Sequence, residues 1–179
     1  MQEIKIKKSY LIIGFIIVLA FAGLFFAQKF TGNAVKETKA NLGSATDFSL
    51  QTTSGETIKL SQFKGKIVIL QAMASWCPSC KLQASQIKPV YDKFAGNGLV
   101  VISLDIQPER SSLQDLRNFK NNFGGDLYFG FHPEFIGQYG IRSLDSTVII
   151  DKNGNIAYRD DTITTTENLE KIVKQLLEI

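Results

Sequence analysis

Two cysteines separated by two residues are the most reactive groups in this chain. Cys77 and Cys80 are its only cysteines, and Trp76, its only tryptophan, directly precedes them. The apolar run 67–70 lies just upstream and is typical of a buried strand. A thiol pair with this spacing, placed where a strand ends and a helix begins, is typical of dithiol–disulfide exchange.

The residues of the pair also fit the first turn of a helix. Pro78 suits the first helical position, because the N–H group it lacks would have no partner there. Cys77 would then cap the helix, where unpaired N–H groups and the helix dipole favour a thiolate over a thiol. We expect Cys77 to be exposed at this position and Cys80 to lie on the packed face of the helix. Cys80 lies one turn further on and can close a disulfide with Cys77, which would release a bound partner.

Two other uses of a Cys-x-x-Cys pair have to be weighed. The pair could supply half of a zinc site, but such a site requires two more ligands, and His132 is the only histidine of the chain. It could also be a purely structural disulfide. The order of strand, tryptophan, cysteine pair and helix favours a redox pair over both.

Hydrophobic periodicity predicts the elements that position this pair. Strands alternate with helices from residue 67 onward, and a strand, an Asn153-Gly154 turn, a second strand and a final helix follow. Alternating segments at 48–50 and 57–60, separated by Ser54-Gly55, predict a further hairpin before them. Ser111 with Gln114, and Thr164 with Glu167, fit the capping motif at the starts of the last two predicted helices. This order predicts an α/β architecture, in which a mixed central sheet is flanked by helices.

The N-terminal part of the chain has a different composition. Residues 10–27 carry no charge and follow a basic flank at 1–9, which predicts a transmembrane signal anchor with its N-terminus in the cytoplasm. Residues 28–44 are polar and read as a flexible tether, which leaves 45–179 as the folded domain. The competing interpretation is a cleaved signal peptide, because Ala20-Phe21-Ala22 is a possible cleavage site.

The charges support the same division and exclude one class of partner. Six of the 20 basic residues and two of the 17 acidic residues precede Gly43, so the remaining domain is close to neutral. The basic isoelectric point therefore comes from the anchor and tether. A nucleic-acid-binding surface has no support in this distribution.

Four stretches of the sequence resemble the membrane-anchored thioredoxin-like proteins of the TlpA/ResA kind. They are residues 47–50, 60–66, 76–80 and 149–156. The resemblance implies a thioredoxin-like fold with an added N-terminal β-hairpin, preceded by one transmembrane helix. It also implies that Cys77 is the attacking thiol and Cys80 the resolving thiol, beside a substrate-docking surface formed by Trp76, Pro78 and Asp145.

Three positions depart from the pattern of those proteins. Gln83 stands where a glutamate is common, and Ser85 stands where a proline that kinks the helix is common. A proline with a cis peptide bond normally faces the cysteine pair, but the corresponding position is Asp145, and no proline follows Pro133. A cis bond before a residue other than proline costs about 2.5–4 kcal/mol, so we expect the Leu144–Asp145 bond to be trans. The Asp145 carboxylate either faces Cys77 or turns outward to cap a loop.

These observations predict a thiol–disulfide oxidoreductase in the cell membrane, single-pass, with its domain outside the cytoplasm. It would reduce disulfides of a protein substrate, take electrons from an upstream donor protein and need no cofactor. The absence of a histidine between the cysteines favours a reducing pair. The alternative is a copper-binding or copper-delivery module that uses Cys77, Cys80 and His132, although His132 reads more simply as a surface or loop residue.

Overall fold

The computed structural model describes residues 42–179. The predicted basic flank, the predicted span at 10–27 and most of the predicted tether therefore lie outside the described residues. Within 42–179, no helix combines the length and the apolar character needed to cross a membrane.

Seven strands and four α-helices make up the described part of the chain. The strands are β1 (Ser49–Gln51), β2 (Thr57–Lys59), β3 (Ile67–Met73), β4 (Leu99–Asp105), β5 (Tyr128–Phe131), β6 (Thr147–Ile150) and β7 (Ile156–Asp160). The helices are α1 (Pro78–Phe94), α2 (Leu113–Phe119), α3 (Phe135–Tyr139) and α4 (Thr166–Leu177).

Five strands form the central sheet in the order β5-β4-β3-β6-β7. β3 lies in the middle, parallel to β4 on one side and antiparallel to β6 on the other. Every residue of β3 and of β4 is buried, which agrees with their continuous apolar runs, because helices or loops cover both faces of these strands. The sheet is therefore mixed, and β3, whose carboxyl end leads to Cys77, is its central strand.

β1 and β2 pair antiparallel in a separate two-stranded sheet. This sheet meets β5 through a bridge between Thr52 and Gly130. A Cβ atom on Gly130 would lie 2.6 Å from the Gln51 carbonyl oxygen and 2.7 Å from the Leu50 side chain. The contact between the two sheets consequently requires glycine at this position.

The two faces of the central sheet bury separate apolar clusters. One cluster joins α1 and α4 to the sheet and contains both cysteines. The other packs β1, β2 and α3 against the opposite face. Leu144 touches both clusters, so the segment before β6 is tied to both layers of the core.

The N-caps of two helices lie one residue after the positions expected from the sequence. The capping box of α2 uses Ser112 and Asp115, not Ser111 and Gln114, and the helix passes at Lys120–Gly124 into a π-helical turn. The cap of α4 is Thr165, one residue after the predicted Thr164. Serine and threonine repeat at these starts, so the residue type alone cannot select which of them caps the helix.

Candidate active site

The cysteine pair lies where β3 leads into the first turn of α1. Cys77 and Cys80 form a disulfide with their Cα atoms 5.3 Å apart. Cys77 is the N-cap of α1, its sulfur accepts the backbone N–H of Cys80 at 3.2 Å, and Pro78 occupies the first helical turn. The Ser79 hydroxyl lies 3.2 Å from the same sulfur. The first turn of α1 thus directs two polar groups at the Cys77 sulfur, as a stabilised thiolate requires.

Both cysteines are more enclosed than the sequence suggests. Cys77 is 3% exposed and Cys80 is fully buried, so the expectation of an exposed Cys77 is wrong. Both cysteines belong to the apolar cluster between α1 and the sheet. Access to the pair therefore depends on the groups around Cys77 rather than on the position of its helix alone.

Trp76 and Pro78 form the exposed rim beside the disulfide. Trp76 is 37% exposed, and the guanidinium carbon of Arg110 lies 3.7 Å from the centroid of its ring system. A cation stacked on an indole face restricts the orientation of the ring. The structure thus places two of the three predicted docking residues at the surface next to Cys77.

A buried carboxylate at the end of β4 holds the loop before the pair. Asp105 is fully buried and accepts the backbone N–H of Ser75 at 3.0 Å and that of Gln107 at 2.9 Å. The Ser75 hydroxyl donates to that of Ser111 at 2.9 Å, and Ser111 also hydrogen-bonds to Asp105. Burial raises the pKa of Asp105, while the hydrogen bonds from Gln107, Ser111 and Ser75 oppose that rise.

Two buried glutamines connect α1, which contains Cys80, to neighbouring parts of the chain. Gln71 is buried in β3 and donates to the Cys80 carbonyl oxygen at 3.1 Å, while its own oxygen accepts from Ser103 at 3.1 Å. Gln83 is buried in α1, accepts the backbone N–H of Thr164 at 2.7 Å and donates to the Thr164 carbonyl at 3.2 Å. An amide can both donate and accept, which a carboxylate at position 83 could do only when protonated.

The turn that faces the pair contains no cis bond. All peptide bonds of 42–179 are trans, including Leu144–Asp145, as the energy of a cis bond predicts. The Leu144 carbonyl oxygen lies 3.3 Å from the Cys80 sulfur. Asp145 is half-buried, and its carboxylate accepts a hydrogen bond from the Ser143 hydroxyl. That bond favours the loop-capping alternative for Asp145.

His132 has other partners than the cysteines. It is buried rather than at the surface, and its ring stacks on Phe48 at a centroid distance of 4.5 Å. One ring nitrogen lies 3.0 Å from the Gln138 side-chain oxygen and the other 3.4 Å from the Glu134 carboxylate. Within residues 42–179, no group of three histidine, cysteine or acidic side chains is placed to hold a metal ion. The three-ligand copper site is thus not assembled in this structure.

Two residues of the site escaped the sequence-based reasoning. Gln71 is the polar residue of the otherwise apolar β3, and Asp105 ends β4, which also contains Ser103; these polar residues in buried strands were the available signal. Both strands are buried on both faces, so a polar side chain within them must find an internal partner. The pattern indicates that such a partner exists, but it does not say that the partner is the loop or the helix of the cysteine pair.

Comparisons with known proteins agree with this geometry. Residues 43–159 match the AhpC/TSA family. The thiol-disulfide oxidoreductase ResA of Bacillus thuringiensis subsp. konkukian is 29% identical over 175 residues, which is 95% of this chain and 98% of that protein.

Solved structures show the same fold. The crystal structure of a thioredoxin-like protein from Aeropyrum pernix superposes with a TM-score of 0.63 at 28% identity, over 72% of this chain and 89% of that one. A putative thiol:disulfide interchange protein DsbE from Chlorobium tepidum gives a TM-score of 0.65 at 24% identity, over 75% of this chain and 95% of that one. The chain belongs to the AhpC/TSA family, as a thiol–disulfide oxidoreductase of the thioredoxin-like fold that contains a Cys77–Cys80 disulfide.

Proposed function

We propose that this protein is a membrane-tethered reductase of protein disulfides that works outside the cytoplasm. The observation that carries the proposal is the Cys77–Cys80 disulfide at the N-terminus of α1, next to the exposed ring of Trp76. A partner of protein size can lie on this rim while its disulfide reaches Cys77. Trp76 and Pro78 form the docking surface in this proposal, and Asp145 lies in the turn on the other side of the pair.

The reaction transfers two electrons through one mixed disulfide. The Cys77 thiolate attacks one sulfur of the partner disulfide, forms the mixed disulfide and releases the other partner sulfur, which takes up a proton. Cys80 then loses its proton and attacks the Cys77 sulfur. This step restores the Cys77–Cys80 disulfide and releases the second partner thiol. A donor dithiol outside this chain must reduce the pair again before the next cycle.

The residues between the cysteines favour the reducing direction. Pro78 and Ser79 carry no positive charge, whereas a cation or an imidazolium at these positions would stabilise the Cys77 thiolate and make the disulfide a stronger oxidant. The Ser79 hydroxyl and the Cys80 N–H are neutral groups on the Cys77 sulfur. We therefore propose that the Cys77–Cys80 pair has a low reduction potential and donates electrons in an otherwise oxidising extracytoplasmic compartment.

The enzymatic part of the proposal is tested with the domain from Gly43 onward and insulin as the disulfide substrate. We expect the reduced domain to cleave the insulin disulfides in stoichiometric amounts and to become oxidised at Cys77 and Cys80. A Cys77→Ser variant should leave insulin intact. Equilibration with glutathione gives the reduction potential, and a potential in the range of strong oxidants such as DsbA would contradict the reducing direction.

The membrane part of the proposal is tested separately with the full chain. It rests on the charge-free run at 10–27 behind a basic flank. We expect the full chain to fractionate with membranes and to resist extraction with salt, and the domain from Gly43 to be soluble and to retain thiol activity. A mature protein whose N-terminal sequence starts at Gly23 would contradict the anchor and identify a cleaved signal peptide.

A further inference from the structure

We propose that Ser146 and Asp161 are positioning residues that hold the Leu144 carbonyl against Cys80. In the reduced enzyme this carbonyl accepts a hydrogen bond from the Cys80 thiol. The sulfur and the carbonyl oxygen are 3.3 Å apart while the disulfide is closed. A disulfide sulfur has no proton to donate, so the hydrogen bond forms only after reduction. The turn facing the pair therefore interacts differently with the two redox states.

The Asp161 carboxylate brackets this turn at both ends. It lies just after β7 and accepts hydrogen bonds from the Ser146 hydroxyl at 2.9 Å and from the backbone N–H of Arg142. Arg159 fixes the carboxylate in turn, with one guanidinium nitrogen 3.2 Å from each oxygen. Burial raises the pKa of Asp161, but the hydrogen bonds from Ser146, Arg159 and Arg142 outweigh burial and lower it below the usual value. Asp161 is thus an anion held in place by the turn it supports.

Ser146 connects that carboxylate to the backbone of the turn. It is fully buried, and its hydroxyl lies 2.8 Å from the Ser143 carbonyl oxygen and 3.3 Å from the Ser143 backbone N–H. Its own carbonyl accepts the N–H of Ala72 at 2.9 Å, which joins the turn to the end of β3. With Ser143 and Ser146 both fixed, the two residues between them have little freedom. The direction of the Leu144 carbonyl is therefore set by contacts outside the cysteine motif.

Other buried polar groups around the pair do not perform this role. The amides of Gln71 and Gln83 bond to backbone groups of Cys80 and Thr164 and to the Ser103 hydroxyl, and to neither sulfur. The Asp145 carboxylate accepts from Ser143 within the turn. Among the described residues, the Leu144 carbonyl is the hydrogen-bond acceptor that the structure places on the Cys80 sulfur.

The chemical consequence is a preference for a protonated Cys80 and for the reduced state. A carbonyl oxygen stabilises a thiol, which can donate to it, and not a thiolate, which cannot. Cys80 would therefore stay protonated while the Cys77 thiolate attacks the partner. When Cys80 later attacks the mixed disulfide, its sulfur loses the proton and with it the hydrogen bond to the Leu144 carbonyl. The Cys77–Cys80 bond forms, the bond between Cys77 and the partner sulfur breaks, and the departing partner sulfur takes the electron pair and is protonated to a thiol.

The first test measures the equilibrium between the protein and a glutathione redox buffer. In Ser146→Ala and in Asp161→Ala the turn loses its support, so we expect the equilibrium to move toward the disulfide by about two- to tenfold, the range for one hydrogen bond. Asp160→Ala is the matched control, because the neighbouring Asp160 binds Thr162, Thr164 and Tyr158 and not the turn. It should leave the equilibrium unchanged. Equal constants for all four proteins, each shown to be folded by its circular dichroism, would overturn the proposal.

The second test starts from a protein in which the turn is intact. In a Cys77→Ser protein, Cys80 is the only thiol, and its S–H stretch is visible by Raman spectroscopy. We expect this band below the position of a thiol in an apolar solvent, because the bond donates to Leu144, and we expect it to shift back in the same protein with Ser146→Ala. A band at the position of a free thiol would overturn the proposal. Neither test uses a partner protein, so both remain decisive if insulin is not reduced.

Discussion

The first turn of α1 and the turn that faces it both touch the disulfide, but contacts of very different range support them. Around Cys77 the supporting groups are Pro78, Ser79 and the backbone N–H of Cys80, all within three residues. The turn at 143–146 depends instead on Asp161, on Arg159 and on a backbone bond to β3. The contacts to the Cys77 sulfur are a property of the tetrapeptide 77–80, and the position of the facing turn is a property of the assembled sheet.

This difference separates the groups that make the Cys77 thiol reactive from the groups that set the redox balance of the pair. A helix N-terminus that favours a thiolate needs only a strand, a cap and a helix in sequence. The position of the facing carbonyl changes whenever β6, β7 or the loop after β7 moves. Substitutions within the cysteine motif should therefore remove activity, whereas substitutions that act from a distance should alter stability or redox balance and leave the thiol chemistry in place.

The largest effect is expected for Cys80→Ala. The cap of α1 should persist, because the backbone N–H of residue 80 still reaches the Cys77 sulfur. Without the resolving thiol, the mixed disulfide with insulin should accumulate and turnover should stop. Non-reducing electrophoresis shows the trapped species, and Cys77→Ala is the control that should trap nothing. Turnover at the wild-type rate would disprove the two-cysteine mechanism.

A large loss of stability with intact thiol chemistry is expected for Gln83→Ala. The substitution leaves the buried N–H and carbonyl of Thr164 without partners, which should lower the free energy of unfolding by about 2–4 kcal/mol. Urea unfolding measures the change. Gln114→Ala is the matched control, since the exposed Gln114 bonds only to the Asn118 side chain and should change stability by less than about 0.5 kcal/mol. Similar losses in both variants would show that Gln83 does not join α1 to the loop before α4.

An effect that depends on pH is expected for Asp105→Asn. Burial raises the pKa of Asp105, so the folded state prefers the protonated form. Its contribution to stability is complete below the unfolded pKa of about 3.9 and is lost as the pH rises through the higher folded value. The asparagine variant should lack this decline when melting temperatures are measured across acidic to neutral pH.

Asp115→Asn provides the opposite sign as a control for that measurement. Hydrogen bonds from Ser112 lower the pKa of Asp115, so its contribution is present above the unfolded pKa and is lost as the pH falls. Compared with the wild type, the slope of melting temperature against pH should therefore change in one direction for Asp105→Asn and in the opposite direction for Asp115→Asn. Parallel curves for Asp105→Asn and the wild type would mean that Asp105 is not held in a buried site.

The smallest effect is expected for Asp145→Asn. The carboxylate is already bonded to Ser143, so removal of its charge should leave the pH midpoint of Cys77 alkylation unchanged in the reduced protein. Iodoacetamide labelling with peptide mapping measures that midpoint and also tests whether Cys77 reacts before Cys80. A shifted midpoint would show that the carboxylate acts on the pair and that the loop-capping interpretation is wrong.

The periodic parts of the chain were predictable because their contacts repeat along the sequence. The all-buried strands β3 and β4, the hairpin of β6 and β7 at Asn153-Gly154 and the start of α1 at Pro78 follow the sequence pattern. The caps of α2 and α4 were misplaced by one residue, since neighbouring serines and threonines cap equally well in isolation. His132 was expected at the surface or in a loop. It lies in the loop after β5 but is buried, because its ring stacks on Phe48, which is distant from it in sequence.

The amino-acid sequence by itself determined the redox chemistry, because a cysteine N-cap, a proline and a second cysteine one turn later need only local backbone geometry. Only the tertiary structure decided how this chemistry is enclosed. Whether Cys77 is open, whether Asp145 faces the sulfur and which group meets Cys80 depend on where separate segments come together. Asp105, which holds the loop before the pair, lies 28 residues after Cys77, and Asp161, which holds the facing turn, lies 81 residues after Cys80; no local pattern of residues encodes such a distance. The physical reason is that buried polar groups must be satisfied by whatever the packed chain brings within hydrogen-bond reach.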